Sequence, residues 1–164
     1  MTKGLTRVYV GLGSNLGDRA AMLKAAEAAI AQLRGVEVLR GSKVHHSKAL
    51  RAPGDATPQP DYLNSVLELS CQLSVAELLG GLKQIERAMG RGPGKRWAAR
   101  IIDLDLLLYG NVVLHQPGIE IPHPGMVTRR FVLVPLAELA PELRHPVLGL
   151  SIAALLDVTP FSDE

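Results

Sequence analysis

The 164-residue chain contains a single cysteine, Cys71. One thiol excludes an internal disulfide framework and any metal site built from several cysteines. No apolar run approaches the roughly 20 residues needed to cross a bilayer. The N-terminal segment also lacks the apolar core and cleavage site of a secretory signal. These absences predict a cytoplasmic protein that has no membrane partner.

Aromatic residues and excess charge are also scarce. Aromatics make up 4% of the chain, and the formal net charge is only +2. A balance this mild does not by itself favour binding to nucleic acid, so the position of the basic residues matters more than their number. The length predicts one domain over residues 1–164.

Strand and helix patterns alternate along the chain in the order β-α-β-β-α-β. A capping box, Ser74 with Glu77, opens the second helix. This order predicts the ferredoxin-like α+β fold, an antiparallel sheet with both helices on one face. After a turn at 110–111 that leads into 112–114, a C-terminal extension and a short helix near 151–157 are expected. The six segments are 7–13, 19–33, 36–44, 62–71, 75–89 and 100–110.

The segment GLGSNLG, residues 11–17, lies between a predicted strand and a predicted helix. Its glycine spacing does not match the dinucleotide fingerprint, and no Gly-Lys-Ser/Thr follows as in a P-loop. We therefore interpret the glycines as a tight turn, with Asn15 or Asp18 capping the helix.

Two aspartates interrupt the apolar strand RIIDLDLLLYG, residues 100–110. Side chains at positions i and i+2 of a strand point to the same face, so Asp103 and Asp105 stand together while their neighbours enter the core. Two like charges repel unless a cation lies between them. Mg²⁺ fits, because it is held by one or two carboxylates and shared with substrate phosphates. A solvent-facing strand is the alternative.

A glycine-rich basic segment, GRGPGKRWAAR, precedes these aspartates. Guanidinium groups suit phosphate oxygens, and the loop glycines allow closure over a ligand. Carboxylates for a metal beside arginines for phosphate favour nucleotide-phosphate chemistry. A solvated basic loop or a non-specific RNA contact is the alternative. The basic residues are Arg91, Lys95, Arg96 and Arg100.

Three of the few aromatics lie beside polar or basic residues: Tyr62, Trp97 and Phe131. Core packing is the default for each, but two facing rings could hold a planar heterocycle. Asn64 shares a strand face with Tyr62, and its amide suits the edge of a pterin or purine. His123 is bracketed by prolines, which fix its orientation; a lone histidine is more often structural.

Four segments together resemble the 6-hydroxymethyl-7,8-dihydropterin pyrophosphokinases of folate biosynthesis: YVGLGSNLGDR, QPDYLNSV, RWAARIIDLDLLLYG and IPHPGMVTRRFVLVPLAELAP. The resemblance runs over most of the chain in the family's order. It implies transfer of pyrophosphate from ATP to the pterin hydroxymethyl group with release of AMP. It also implies two Mg²⁺ ions at Asp103 and Asp105.

The resemblance further assigns roles to individual positions. The implied catalytic residues are Arg91, Arg96, Arg100, Asp103 and Asp105. The implied ATP-binding residues are Glu86, Trp97, Arg100, His123 and Arg129, and the implied pterin-binding residues are Leu50, Tyr62, Asn64, Trp97, Asp103 and Phe131. All of these groups lie in one chain, so a monomer suffices and no nucleic acid partner is expected.

Two other functional classes stay open at this point. A ferredoxin-like RNA-binding module would need a basic sheet face, whereas the basic residues here lie in loops, and its affinity would fall sharply with salt. A regulatory domain would bind ATP without turning it over in the presence of a pterin.

Overall fold

The computed structural model describes residues 4–48, 61–90 and 101–159. Seven strands and four α-helices occur in this part of the chain. In chain order they are β1 (Thr6–Ser14), α1 (Arg19–Ala31), β2 (Val36–Gly41), β3 (His45–Ser47), β4 (Tyr62–Cys71), α2 (Val75–Ala88), β5 (Asp103–Tyr109), β6 (Leu114–Gln116), β7 (Ile119–Ile121), α3 (Arg130–Leu139) and α4 (Ile152–Val158).

The main sheet has the order β2-β4-β1-β5, and β3 pairs with the first residues of β4. Every described pairing is antiparallel. With α1 and α2 as its connections, this is the ferredoxin-like β-α-β-β-α-β arrangement, so the predicted α+β fold is confirmed. None of the helices in the described ranges is both long and apolar enough to cross a membrane.

The first helix pair covers one face of this sheet. Asp18 begins α1 by accepting a hydrogen bond from the Ala21 N–H at 3.1 Å. Ser74 begins α2 with the complete capping box that the sequence predicts. Between these helices and the sheet lies an apolar core; its fully buried members include Val8, Val10, Ala26, Ile30, Leu69, Leu78 and Ile102.

The opposite face carries a second apolar core under α3 and α4. The sequence pattern predicts α4, but over the residues of α3 it predicts only an extension without a defined helix. Pro135 lies inside α3, and a proline within a short apolar run obscures the helical pattern because it normally ends a helix. Burial of Val132, Leu133 and Leu136 against the sheet stabilises α3 despite that proline.

A buried carboxylate ties this second face together. Glu68, 3% exposed, accepts hydrogen bonds from the Tyr9 hydroxyl at 2.8 Å, from Arg7 at 3.2 Å and from Arg40 at 3.0 Å. Arg40 also donates to the Leu139 carbonyl oxygen at 2.6 Å, at the end of α3. Burial and the Glu68 contact raise the pKa of Tyr9 to about 12. The network therefore joins β1, β2 and β4 to α3.

Beyond the main sheet, β6 pairs with β7 in a separate hairpin. Two local expectations need correction. The second predicted strand ends at Gly41 rather than residue 44. Helix α1 ends at Ala31, two residues earlier than its pattern indicates.

Candidate active site

Two glycines of β1 lie between functional side chains of its neighbouring strands. Gly13 pairs with Asn64 on one side and Asp103 on the other, and Gly11 pairs with Asp105. Directly paired residues of antiparallel strands point to the same face. Asp103, Gly13 and Asn64 therefore form one row across the sheet.

The interpretation of GLGSNLG as a turn is thus wrong for two of its glycines. Gly11 and Gly13 lie within β1; only Gly17, with φ +72°, has a turn conformation, and Asp18 rather than Asn15 caps the helix. The signal was present in the i, i+2 spacing, which places both glycines on one strand face. What the sequence lacked was the partner strands on either side.

Gly11 and Gly13 have no side chains, and we call the part of the β1 surface that they form the glycine floor. A Cβ atom added to Gly13 would lie 3.3 Å from the Asn64 Oδ1 and 3.3 Å from the Tyr62 Cδ1. Because adjacent strands are about 4.8 Å apart, Asp103 and Asn64 stand about 10 Å from each other across this floor. The missing side chain at Gly13 lets the Asn64 amide oxygen and the Tyr62 ring come close to the β1 backbone.

Asn64 is held in one orientation. Its Nδ2 donates to the Ser47 Oγ at 2.7 Å, and both residues are buried, at 6% and 2% exposure. This contact leaves the amide oxygen beside Gly13, where it is placed to accept from a ligand N–H. No local sequence pattern indicates this role for Ser47, because the contact joins β3 to β4.

The two aspartates stand on β5 as the alternation predicts. Leu104 and Leu106 are buried in the first core, at 8% and 5% exposure, whereas the side chain of Asp105 is 40% exposed. Glu86 of α2 is buried, and its Oε2 accepts from the Leu104 N–H at 2.8 Å. Glu86 thus anchors the strand segment between the two aspartates.

The donor set at Asp103 and Asp105 fits Mg²⁺. Both supply carboxylate oxygens on one accessible strand face, and hard oxygen ligands are what this cation prefers. Within the three described ranges, no group of three or more His, Cys, Asp or Glu residues could hold a metal. Two carboxylates leave coordination positions for water and phosphate oxygens, which is the usual arrangement where Mg²⁺ meets a nucleotide.

His123 lies beside this pair, with its Nε2 at 3.9 Å from the Asp105 Oδ1. The His123 N–H donates to the Leu107 carbonyl oxygen at 2.9 Å, which fixes the segment against β5. Burial, and next the positive charge of Arg129, lower the pKa of His123. The lowered pKa favours the neutral imidazole, whose Nδ1 accepts a hydrogen bond from the Gly125 N–H at 3.1 Å.

Arg129 and Phe131 lie where α3 begins, on the face of the sheet that carries Asn64. The Arg129 Cζ is 5.8 Å from the centre of the Phe131 ring. Arg130 is directed elsewhere, since it donates to the Leu156 and Thr159 carbonyl oxygens at 3.3 and 3.2 Å. Arg129, by contrast, lies close enough to His123 for its charge to lower the pKa of that imidazole.

A cavity of about 360 Å³ opens at the outer edge of β5, between α2 and the β6–β7 hairpin. Apolar residues such as Leu79 and Ile119 line it, together with Lys83, and Asp105 and His123 lie at its border. This volume is within the range of small-molecule sites. Asp105 therefore borders two spaces, this cavity and the glycine floor.

Five predicted site residues lie outside the described residues: Leu50, Arg91, Arg96, Trp97 and Arg100. The structure brings the other predicted residues to one region, formed by the start of β5, the start of β4, the end of α2, the segment with His123 and the start of α3.

Residues 9–141 match the family of 7,8-dihydro-6-hydroxymethylpterin pyrophosphokinases. The chain belongs to this family. The matched range includes the glycine floor, the aspartate pair and the start of α3.

Two curated pyrophosphokinases illustrate the relationship. Both are named 2-amino-4-hydroxy-6-hydroxymethyldihydropteridine pyrophosphokinase. The protein of Synechocystis is 43% identical over 148 residues, which are 90% of this chain and 73% of that protein. The protein of Pseudomonas aeruginosa is 40% identical over 157 residues, which are 96% of this chain and 94% of that protein.

Solved structures extend the pyrophosphokinase likeness to the fold. The Plasmodium falciparum HPPK-DHPS structure with pteroate superimposes with a TM-score of 0.71 at 14% identity. The match covers 93% of this chain and 42% of that one. This chain thus spans less than half of the Plasmodium protein, and the likeness concerns the fold alone.

Proposed function

We propose that this chain transfers pyrophosphate from ATP to the hydroxymethyl group of 6-hydroxymethyl-7,8-dihydropterin, giving AMP and the pterin diphosphate in folate biosynthesis. The observation that carries the proposal is the row Asp103–Gly13–Asn64, with a carboxylate at one end and a fixed amide at the other. The floor between them fits a flat heterocycle, and the aspartates fit a metal-bound polyphosphate. Membership of the pyrophosphokinase family supports the same reaction.

The pterin would lie on the glycine floor. The Asn64 Oδ1 beside Gly13 would accept from a ring N–H, while Ser47 keeps the amide from rotating. Tyr62 on β4 and Phe131 on α3 would enclose the ring, since offset aromatic contacts suit planar heterocycles. Leu50 and Trp97 remain predicted neighbours of the same ring.

ATP would bind on the other side of the aspartates. The cavity of about 360 Å³ would take the base, and its apolar lining suits a planar ring. His123 would donate its Nε2–H to a phosphate oxygen, and Arg129 would add a positive charge. Arg91, Arg96 and Arg100 remain predicted phosphate ligands.

The reaction then needs positioning more than covalent chemistry. The hydroxymethyl oxygen attacks the β-phosphorus and forms a new P–O bond, while the hydroxyl proton passes to solvent. The bond from that phosphorus to the α,β-bridging oxygen breaks, and AMP leaves. Asp103 and Asp105 would hold two Mg²⁺ ions, whose charge offsets the negative charge that develops on the phosphate oxygens. A monomeric state, a single domain and a cytosolic location stay predictions.

Product analysis tests the proposal. The chain is incubated with ATP, Mg²⁺ and 6-hydroxymethyl-7,8-dihydropterin, and adenine nucleotides are separated by chromatography. We expect AMP in a one-to-one ratio with pterin diphosphate, and none without the pterin or with excess EDTA. Formation of ADP would contradict β-phosphoryl transfer, and absence of turnover would favour the regulatory domain.

A further inference from the structure

We propose that Gly125 is a positioning residue for nucleotide binding, because its bare α-carbon receives the guanidinium of Arg129 while its N–H orients His123. The proposal deepens the nucleotide site proposed above and rests on that function. Gly125 itself contacts no reacting atom in this scheme. It acts through two side chains that would contact ATP.

The first observation is the close approach of Arg129. A Cβ atom built on Gly125 would lie 2.8 Å from the Arg129 Cζ and 2.9 Å from its Nε. Real Cβ atoms essentially never come within 3.0 Å of another heavy atom. The guanidinium therefore occupies the space that any side chain at position 125 would take, and the Phe131 ring centre is 5.8 Å from the same Cζ.

The second observation is that the backbone does not need a glycine here. Gly125 has φ −86° and ψ −7°, outside the positive-φ region that favours glycine. The three nearest atoms to the added Cβ all belong to the Arg129 guanidinium, the mobile end of a long side chain. Alanine at this position would move Arg129 without straining the fold, and its lower entropy in the unfolded chain favours folding slightly.

The third observation concerns His123. The Gly125 N–H donates to the His123 Nδ1 at 3.1 Å. A neutral imidazole that accepts at Nδ1 carries its proton on Nε2. That nitrogen lies 3.9 Å from the Asp105 Oδ1, so the N–H is presented beside the metal-binding pair.

Gly125 thus contacts both Arg129 and His123, two side chains that favour binding of an anion. Arg129 forms no ion pair with another residue of the described ranges, so its charge is available for a phosphate. A guanidinium held in place loses less conformational freedom when it binds, which increases affinity.

The test is MgATP affinity, measured by calorimetric titration without pterin so that no turnover occurs. We expect Gly125→Ala to raise the dissociation constant of MgATP about tenfold, as for one displaced charge-assisted contact. Its melting temperature should equal or exceed that of the wild type. The matched control is Gly80→Ala on α2, where an added Cβ meets nothing within 4 Å and affinity should not change.

A double-mutant cycle separates positioning from a general structural effect. If Gly125→Ala acts by displacing Arg129, it should add no further loss of affinity in an Arg129→Ala background. Nitrogen-15 NMR of the imidazole should show the Nε2–H tautomer of His123 in both the wild type and Gly125→Ala. Retention of that tautomer would assign the loss to Arg129 rather than to His123.

Two results would overturn the proposal: an unchanged dissociation constant in Gly125→Ala, or an equal tenfold loss in the Arg129→Ala background. Neither depends on turnover. If the wild type binds MgATP but releases no AMP with the pterin, the proposed function fails while the cycle still decides the role of Gly125. A wild-type chain that does not bind MgATP contradicts both.

Discussion

Carboxylates at the two ends of the sheet face opposite α1 and α2 differ in burial. At one end Glu68 is 3% exposed and accepts hydrogen bonds from Tyr9, Arg7 and Arg40. At the other end the side chain of Asp105 is 40% exposed and borders a cavity. We call these the closed end and the open end.

The difference comes from what covers each end. Helix α3 lies over the closed end, and Arg40 joins its last turn to Glu68. At the open end β1 contributes Gly11 and Gly13, so no β1 side chain stands between the aspartates and β4. A buried charge must find its partners within the protein, whereas an accessible pair of carboxylates serves a ligand. On this sheet face Glu68 therefore has a structural role, whereas Asp103 and Asp105 are available to a ligand.

The largest effect is expected at the open end. Asp103→Asn or Asp105→Asn should lower kcat at least about a hundredfold, because a neutral amide holds Mg²⁺ far less well than a carboxylate. The free energy of unfolding should stay within about 0.5 kcal/mol or increase, since one of two like charges is removed. AMP release and urea unfolding, measured on the same preparations, check both statements.

Glu86→Gln is the companion variant for that experiment, because its amide oxygen still accepts from the Leu104 N–H. It should keep more activity than either aspartate variant. If an aspartate variant retains wild-type kcat with saturating Mg²⁺, the open-end carboxylates do not have the functional role described here.

At the closed end a substitution should change stability more than catalysis. Glu68→Gln should lower the free energy of unfolding at pH 7 by about 2 kcal/mol, because the charge-assisted bonds from Arg40 and Arg7 are lost. The value of kcat for the folded fraction should remain within about twofold, since the open end keeps all its groups. Urea unfolding and AMP release are the measurements.

The same variant has a defined pH dependence. Burial alone would raise the pKa of Glu68, but the hydrogen bonds from Arg40 and Tyr9 outweigh it and lower the pKa. A carboxyl with a lowered pKa in the folded state contributes stability at neutral pH and loses it as the pH falls through that pKa. The stability gap between wild type and Glu68→Gln should therefore shrink in acid. A gap that widens in acid would contradict the ion-pair account.

The smallest effect is expected from filling the floor. Gly13→Ala would place a methyl group 3.3 Å from the Asn64 Oδ1 and from Tyr62. This crowding should raise the KM for the pterin severalfold, which corresponds to a cost on the order of 1 kcal/mol. The KM for ATP should remain unchanged. Gly41→Ala is the matched control, since its added Cβ would crowd Leu67 at 3.2 Å away from the site. Equal effects of both variants on pterin KM would show that crowding acts through the fold alone.

The sequence by itself determined the sheet, its first two helices and the aspartate pair. Strand and helix periodicities and two local caps are short-range signals, so Ser74 with Glu77, and Asp18, begin their helices as the sequence indicates. Alternation along β5 was enough to place Asp103 and Asp105 on one face. Four segments together, with RWAARIIDLD the most specific stretch among them, were enough to indicate the family that residues 9–141 match.

Only the tertiary structure decided the surroundings of those aspartates. Gly13 became a floor because β4 and β5 flank β1, and Ser47 became the partner of Asn64 because β3 pairs with β4. The place of Arg129 depends on the bare α-carbon of Gly125. These are contacts between side chains and neighbouring strands or turns, and no local periodicity encodes them. Helix α3 forms despite Pro135 because burying its apolar face outweighs local propensity.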